Sequence, residues 1–122
     1  MPGVLRLSDE GSSLPKSIGC LKSLRKLILE NNQLEFLPDS IGSLKSLTDL
    51  DLRSNQLKIL PETIGNIKTL RFLDLRNNKL TFLPEGIQNL PHLEKLDVRL
   101  NKNLIIPKCF EELQDRGCTV FY

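Results

Sequence analysis

Proline recurs at a fixed interval along this chain. Pro15, Pro38, Pro61, Pro84 and Pro107 are spaced 23 residues apart. The same period governs Asn32, Asn55, Asn78 and Asn101, and the pairs Leu27/Leu29, Leu50/Leu52, Leu73/Leu75 and Leu96/Val98. A period of this length means that one supersecondary unit is copied along the chain. No single copy can bury its apolar side chains alone, so successive copies must stack into one continuous core.

The physics of one unit can be read from Leu24-x-x-Leu27-x-Leu29-x-x-Asn32-x-Leu34-x-x-Leu37-Pro38-x-x-Ile41-Gly42-x-Leu44. The Leu-x-Leu alternation is a strand with one buried face, because strand side chains alternate. Short strands are expected near residues 26–29, 49–52, 72–75 and 95–98. Parallel neighbours need a crossover, which the rest of each unit supplies. The Asn amide both donates and accepts, so a column of such amides can satisfy loop backbone groups that would otherwise be buried unpaired. The prolines fix φ where a short helical turn begins. The acids after them, Asp39, Glu62 and Glu85, suit the start of such a turn. Gly19, Gly42 and Gly65 are expected to let the chain turn back toward the next strand. Ile18, Ile41, Ile64 and Ile87 point inward, with Leu21, Leu44, Ile67 and Leu90.

This unit resembles the leucine-rich-repeat family in its 23-residue intracellular or bacterial form, closely over residues 14 to 107 and loosely at the ends. The resemblance implies an α/β solenoid: a short right-handed superhelix with a parallel concave sheet and short convex helical turns. It divides the single domain, residues 1–122, into a degenerate first repeat (1–23), regular repeats (24–107) and a C-terminal cap (108–122). Members commonly bind protein partners on the concave sheet. Relatives include scaffolds of Ras-type GTPase signalling and bacterial proteins, so a non-catalytic protein-binding role is expected.

Strand side chains facing away from the core fall into columns by spacing. One column holds Lys26, Asp49, Phe72 and Lys95. The next holds Ile28, Asp51, Asp74 and Asp97, and the third Glu30, Arg53, Arg76 and Arg99. Asn31, Ser54, Asn77 and Leu100 follow on the loop side. The neighbouring Asp and Arg columns read two ways. They can be a self-neutralising ladder of surface pairs, each worth ~0–1 kcal/mol, or a recognition strip whose guanidiniums grip a partner's carboxylates. Ile28, Phe72 and Leu100 break the charged pattern, and Phe72 is the best anchor because aromatic and Arg side chains dominate binding hot spots. The sheet would be only ~25 Å wide, which suits a small or weakly held partner.

Other chemistry is poorly supplied. A net charge of +2 with Lys and Arg interleaved among acids gives no nucleic-acid or membrane patch. His92 is the sole histidine, and no nucleophile and base can be set around it by spacing. The glycines are repeat punctuation, so no phosphate loop is expected. The Asp column lies beside Arg, which disfavours a metal. Neither a cofactor nor an enzymatic role is expected. Cys20, Cys109 and Cys118 are an odd count. Reduced thiols at or near the core are expected, with a Cys109–Cys118 bridge as the alternative.

The ends depart from the pattern. Leu5-Arg6-Leu7 reads as a first strand, but Glu10 and Ser12 replace the Asn and middle Leu, so a looser loop is expected there. No polar cap precedes it. Either the N-terminus is truncated, or the open parallel edge meets another chain, as a weak homodimer or a longer solenoid. At the other end, residues 110–116 read as a longer helix stopped by Gly117, and residues 118–122 as a last strand. Asn103 stands where the repeat has Leu. No signal-peptide core or membrane-spanning run is visible. The cytosol is the expected compartment, with secretion as the alternative if a leader has been removed.

Overall fold

The computed structural model describes residues 3–8 and 11–122. Six three-residue strands form one parallel sheet in chain order: β1 Val4–Arg6, β2 Lys26–Ile28, β3 Asp49–Asp51, β4 Phe72–Asp74, β5 Lys95–Asp97 and β6 Thr119–Phe121. Strands β2 to β5 each end one residue before the alternation suggests, ahead of Leu29, Leu52, Leu75 and Val98. Those four side chains are nonetheless buried, with exposure of 2% or less.

The crossovers are tight 3-10 turns at Lys16–Cys20, Asp39–Ser43, Glu62–Asn66 and Glu85–Asn89. Each follows its proline, whose φ lies between −66° and −70°. The proline carbonyl accepts the first turn bond: Ile41 N–H reaches Pro38 O at 3.0 Å and Ile64 N–H reaches Pro61 O at 3.0 Å. Consecutive turns pack on one another along the convex side, and the core fills the space between them and the sheet. Leu27, Leu50, Leu73 and Leu96 line it from the sheet, and Ile41, Ile64 and Ile87 from the turns.

The Asn column holds the units together. Asn78 Nδ2 donates to Leu52 O in the preceding unit and to Leu75 O in its own, both at 3.0 Å, and its Oδ1 accepts from Leu57 N–H at 3.1 Å. Asn55 and Asn101 repeat the arrangement one unit away on either side. Each amide therefore closes backbone groups of two units, the structural role expected of it.

Three details differ from the sequence reading. The glycines do not reverse the chain. They sit inside the 3-10 turns where adjacent turns touch, and a Cβ on Gly42 would lie 2.6 Å from the Thr63 carbonyl oxygen. Leu21 is 41% exposed, whereas Leu44 and Leu90 are fully buried. The later residues are sandwiched between two turns, and Leu21 has a described turn on one side only. Cys20 is exposed rather than near the core, while Cys109 is half-buried and Cys118 buried, and all three thiols are free. The Cys109–Cys118 alternative is therefore not formed.

At the C-terminal end the helix Cys109–Asp115 (α1) replaces the 3-10 turn and stacks on the turn Glu85–Asn89. Gly117 ends it at φ 93°, with Cys118 N–H returning to Leu113 O at 3.0 Å. Phe110 is buried beneath it, its ring 5.3 Å from that of Tyr122. At the N-terminal end, β1 begins one residue earlier than expected. The expected looseness at Glu10 lies outside the described residues, but Ser12 is engaged, its carbonyl accepting from Glu35 N–H at 2.9 Å. Among the described residues no helix is long and apolar enough to cross a membrane.

Candidate functional site

Strand register places the outward side chains in rows. Lys26, Asp49, Phe72, Lys95 and Thr119 are consecutive partners, and so are Arg6, Ile28, Asp51, Asp74, Asp97 and Phe121. The first four residues of the one row and Ile28 to Asp97 of the other line a shallow hollow of about 310 Å³ on the concave sheet. Glu30, Arg53, Arg76 and Arg99 stand along its margin.

The margin is a linked charge ladder. Arg76 Nε and Nη2 donate to the two oxygens of Asp74, at 3.0 and 2.7 Å. Arg99 grips Asp97 in the same side-on way, at 3.0 and 2.6 Å. Arg53 grips Asp51 likewise and also reaches Glu30 at 2.7 Å. Two of the three also face the next unit's acid, Arg53 to Asp74 at 3.5 Å and Arg76 to Asp97 at 3.3 Å. The Asp column is thereby neutralised by bidentate pairing, which fixes the guanidinium planes. No hydrogen bond is made by the Nη1 of Arg53, Arg76 or Arg99 among the described residues, so each keeps a donor outside the ladder.

Electrostatics follow the geometry. Burial alone would raise the pKa of Asp97, but hydrogen bonds from the Arg99 side chain and backbone, with the charges of Arg99 and Arg76, outweigh it and hold it below the usual range. Glu30 is lowered chiefly by its hydrogen bond from Arg6, with Arg53 adding to it. Burial pushes the Cys118 thiol up, and burial with Glu112 does the same for Cys109. These thiols are therefore poor nucleophiles.

The row nearer the strand starts is different. Lys26, Lys95 and Phe72 form no ion pair among the described residues, and Asp49 accepts only a hydroxyl hydrogen bond from Thr48 at 2.8 Å. Phe72 is half-buried beneath the Arg71 guanidinium, 5.2 Å from its ring, and Arg71 is in turn paired with Glu94. Ile28 is half-buried on β2, two strands from Phe72. Leu100 lies apart from this group. It follows the strand's end at φ 64°, is 74% exposed, and shares a separate hollow with Lys79 and Lys102.

Two residues of the face carried little weight in the sequence. Phe121 closes the C-terminal end: it pairs with Asp97 in register, and Arg99 and Lys95 lie over its ring at 4.9 and 5.3 Å. Arg6 closes the other end through Glu30 at 2.9 Å. Both extend the Ile28–Asp97 row at its two ends, and the register of the terminal strands was the signal. His92 is exposed on the convex margin and belongs to neither row. Among the described residues no three His, Cys, Asp or Glu side chains form a group that could hold a metal ion.

Leucine-rich-repeat family models match residues 12–57, 22–80 and 68–115. The chain belongs to the leucine-rich-repeat family, whose fold typically serves interaction rather than catalysis. None of the curated proteins matches it. Among solved structures, it is 35% identical to a leucine-rich-repeat protein of Leptospira interrogans, with TM-score 0.82, over 91% of this chain and 28% of that one. It is 33% identical to the ectodomain of the receptor kinase SOBIR1 from Arabidopsis thaliana, with TM-score 0.75, over 97% of this chain and 66% of that one. It is 34% identical to a plant peptide hormone receptor, RGFR1, solved in complex with RGF2, with TM-score 0.69, over 82% of this chain and 19% of that one. The chain thus spans between a fifth and two thirds of the length of these relatives. Relatives of this kind support a protein-interaction module with a peptide or protein partner.

Proposed function

We propose that the chain binds a protein partner through its concave sheet, on the row Lys26–Asp49–Phe72–Lys95 and the neighbouring Ile28. The observation that carries this reading is the division of the face. The Asp–Arg ladder is paired with itself, whereas the adjacent row offers apolar surface at Phe72 beside two lysines without ion pairs, with Ile28 in the neighbouring row next to Lys26. That combination suits a short segment presenting an apolar side chain next to a carboxylate, with the free Nη1 of Arg76 and Arg99 as further donors. The plant receptor RGFR1, solved with a bound RGF2, supports this by similarity. Peptides selected for binding to the folded chain test it. Their affinity should fall in Phe72→Ala and Lys95→Glu and be unchanged in a convex control such as Lys68→Ala.

A second reading rests on β1. Its side away from β2 has no partner strand among the described residues, and Val4 and Leu21 are each 41% exposed at that end. Under this reading the end meets a second copy or a further repeat. Light scattering across a concentration series separates the two: a discrete dimer abolished by a charge at Leu21 favours the edge. A monomer throughout favours the concave face alone. The cytosol is the proposed compartment, on the three free thiols.

A further inference from the structure

One flank of the solenoid, between the Asn column and the prolines, carries an apolar side chain in four successive units. Phe36, Ile59, Phe82 and Ile105 are 54%, 46%, 48% and 73% exposed, and they succeed one another at the repeat interval. Backbone bonds hold the flank in register, as with Ile105 N–H to Thr81 O at 2.9 Å. The core does not require these residues, and exposed apolar rows of this extent mark binding surfaces.

The row becomes richer toward its C-terminal end. With Asn103 exposed in the usual Leu position, Leu104 turns inward instead, and Ile106 is left 47% exposed where Leu37 and Leu60 are buried. Leu100 is 74% exposed and holds φ 64°, where the equivalent residues of earlier units are Asn31, Ser54 and Asn77. Asn adopts this left-handed backbone at less cost than Leu. An apolar side chain that is both solvent-exposed and conformationally disfavoured points to a use outside the fold.

Charge selects the occupant. Lys79 and Lys102 share the hollow with Leu100, and Lys108 lies two residues after Ile106. All three are exposed, and none forms an ion pair among the described residues. Asp39, Glu62 and Glu85 follow the earlier prolines, but Lys108 follows Pro107. At the opposite end of the row, Lys58 is already paired with Glu35 at 3.6 Å.

We propose that this flank of the last two full repeats, with Phe82, Leu100, Ile105 and Ile106 set among Lys79, Lys102 and Lys108, docks an acidic amphipathic segment of a protein. The site is separate from the concave sheet, so one chain can engage two protein segments at once.

Fluorescence anisotropy tests it with a labelled peptide carrying Leu and Phe on one helical face and Glu on the other. The intact chain should bind it, more weakly as salt is raised. Leu100→Asn and Lys102→Glu should each reduce affinity about tenfold or more, and Phe72→Ala should leave it unchanged. Leu100→Asn should keep or raise the melting temperature, which separates lost docking from lost folding. The Lys-for-Glu peptide should not bind. Absence of binding up to millimolar peptide would overturn the proposal. So would affinity lost only in Phe72→Ala, or binding to phosphatidylserine vesicles in place of the peptide.

Discussion

Arg99 Nη2 stands 2.6 Å from Oδ2 of Asp97, a carboxylate whose side chain is only 2% exposed. Removing the guanidinium would leave that buried charge with the backbone N–H of residue 99, at 3.2 Å, and Arg76, at 3.3 Å. Arg99→Ala should therefore destabilise the fold, read as a lowered midpoint in urea unfolding. Arg99→Lys should recover only part of this, because Lys cannot make the side-on pair. Equal stability of wild type and Arg99→Ala would show the pair to be ornamental to folding.

The same pair sets an acid limit. The pKa of Asp97 is lowered by folding, so its contribution is complete above the ordinary carboxylate range. It is lost as pH falls from about 4 through the folded value. Glu30, lowered mainly by Arg6, adds in the same direction. Urea midpoints measured between neutral pH and pH 3 should fall at the acid end. In Asp97→Asn they should start lower and fall less. Parallel curves for the two proteins would remove Asp97 from the acid response.

Asn78 should be worth more than a surface polar residue. In Asn78→Ala the buried Leu57 N–H loses its acceptor, with an expected cost of about 2–3 kcal/mol. Amide hydrogen exchange should show the loss spreading to both adjoining units, since the side chain donates to Leu52 O and Leu75 O.

Gly42→Ala should also destabilise, by about 1–3 kcal/mol, because the added methyl meets the Thr63 carbonyl oxygen at 2.6 Å. Gly11→Ala adds a methyl where nothing lies within 4 Å, so it costs only the strain of φ 67°. A thermal melt in which Gly42→Ala matched wild type would refute the close-packing explanation.

Much of this molecule was legible because one rule is repeated. The inward Leu and Ile positions, the Asn column, the proline-led turns and the rows of the concave sheet all follow from period and alternation. What escaped depends on neighbours rather than on pattern. The role of Gly42 is set by how closely two turns approach, which no single unit reveals. Leu21 has the inward pattern but lacks a described neighbour to cover it. Leu100 looks like one more strand-end residue until its positive φ and its hollow with Lys79 and Lys102 are seen. The inward turn of Leu104 is a one-residue shift that Asn103 hints at but does not specify.

Concave-face binding is tested most directly by chemical-shift mapping of the isotopically labelled chain with a selected peptide. Perturbations centred on Lys26, Ile28, Asp49, Phe72 and Lys95, absent in Phe72→Ala, are expected. Perturbations centred on the 3-10 turns, or unchanged by Phe72→Ala, would contradict it.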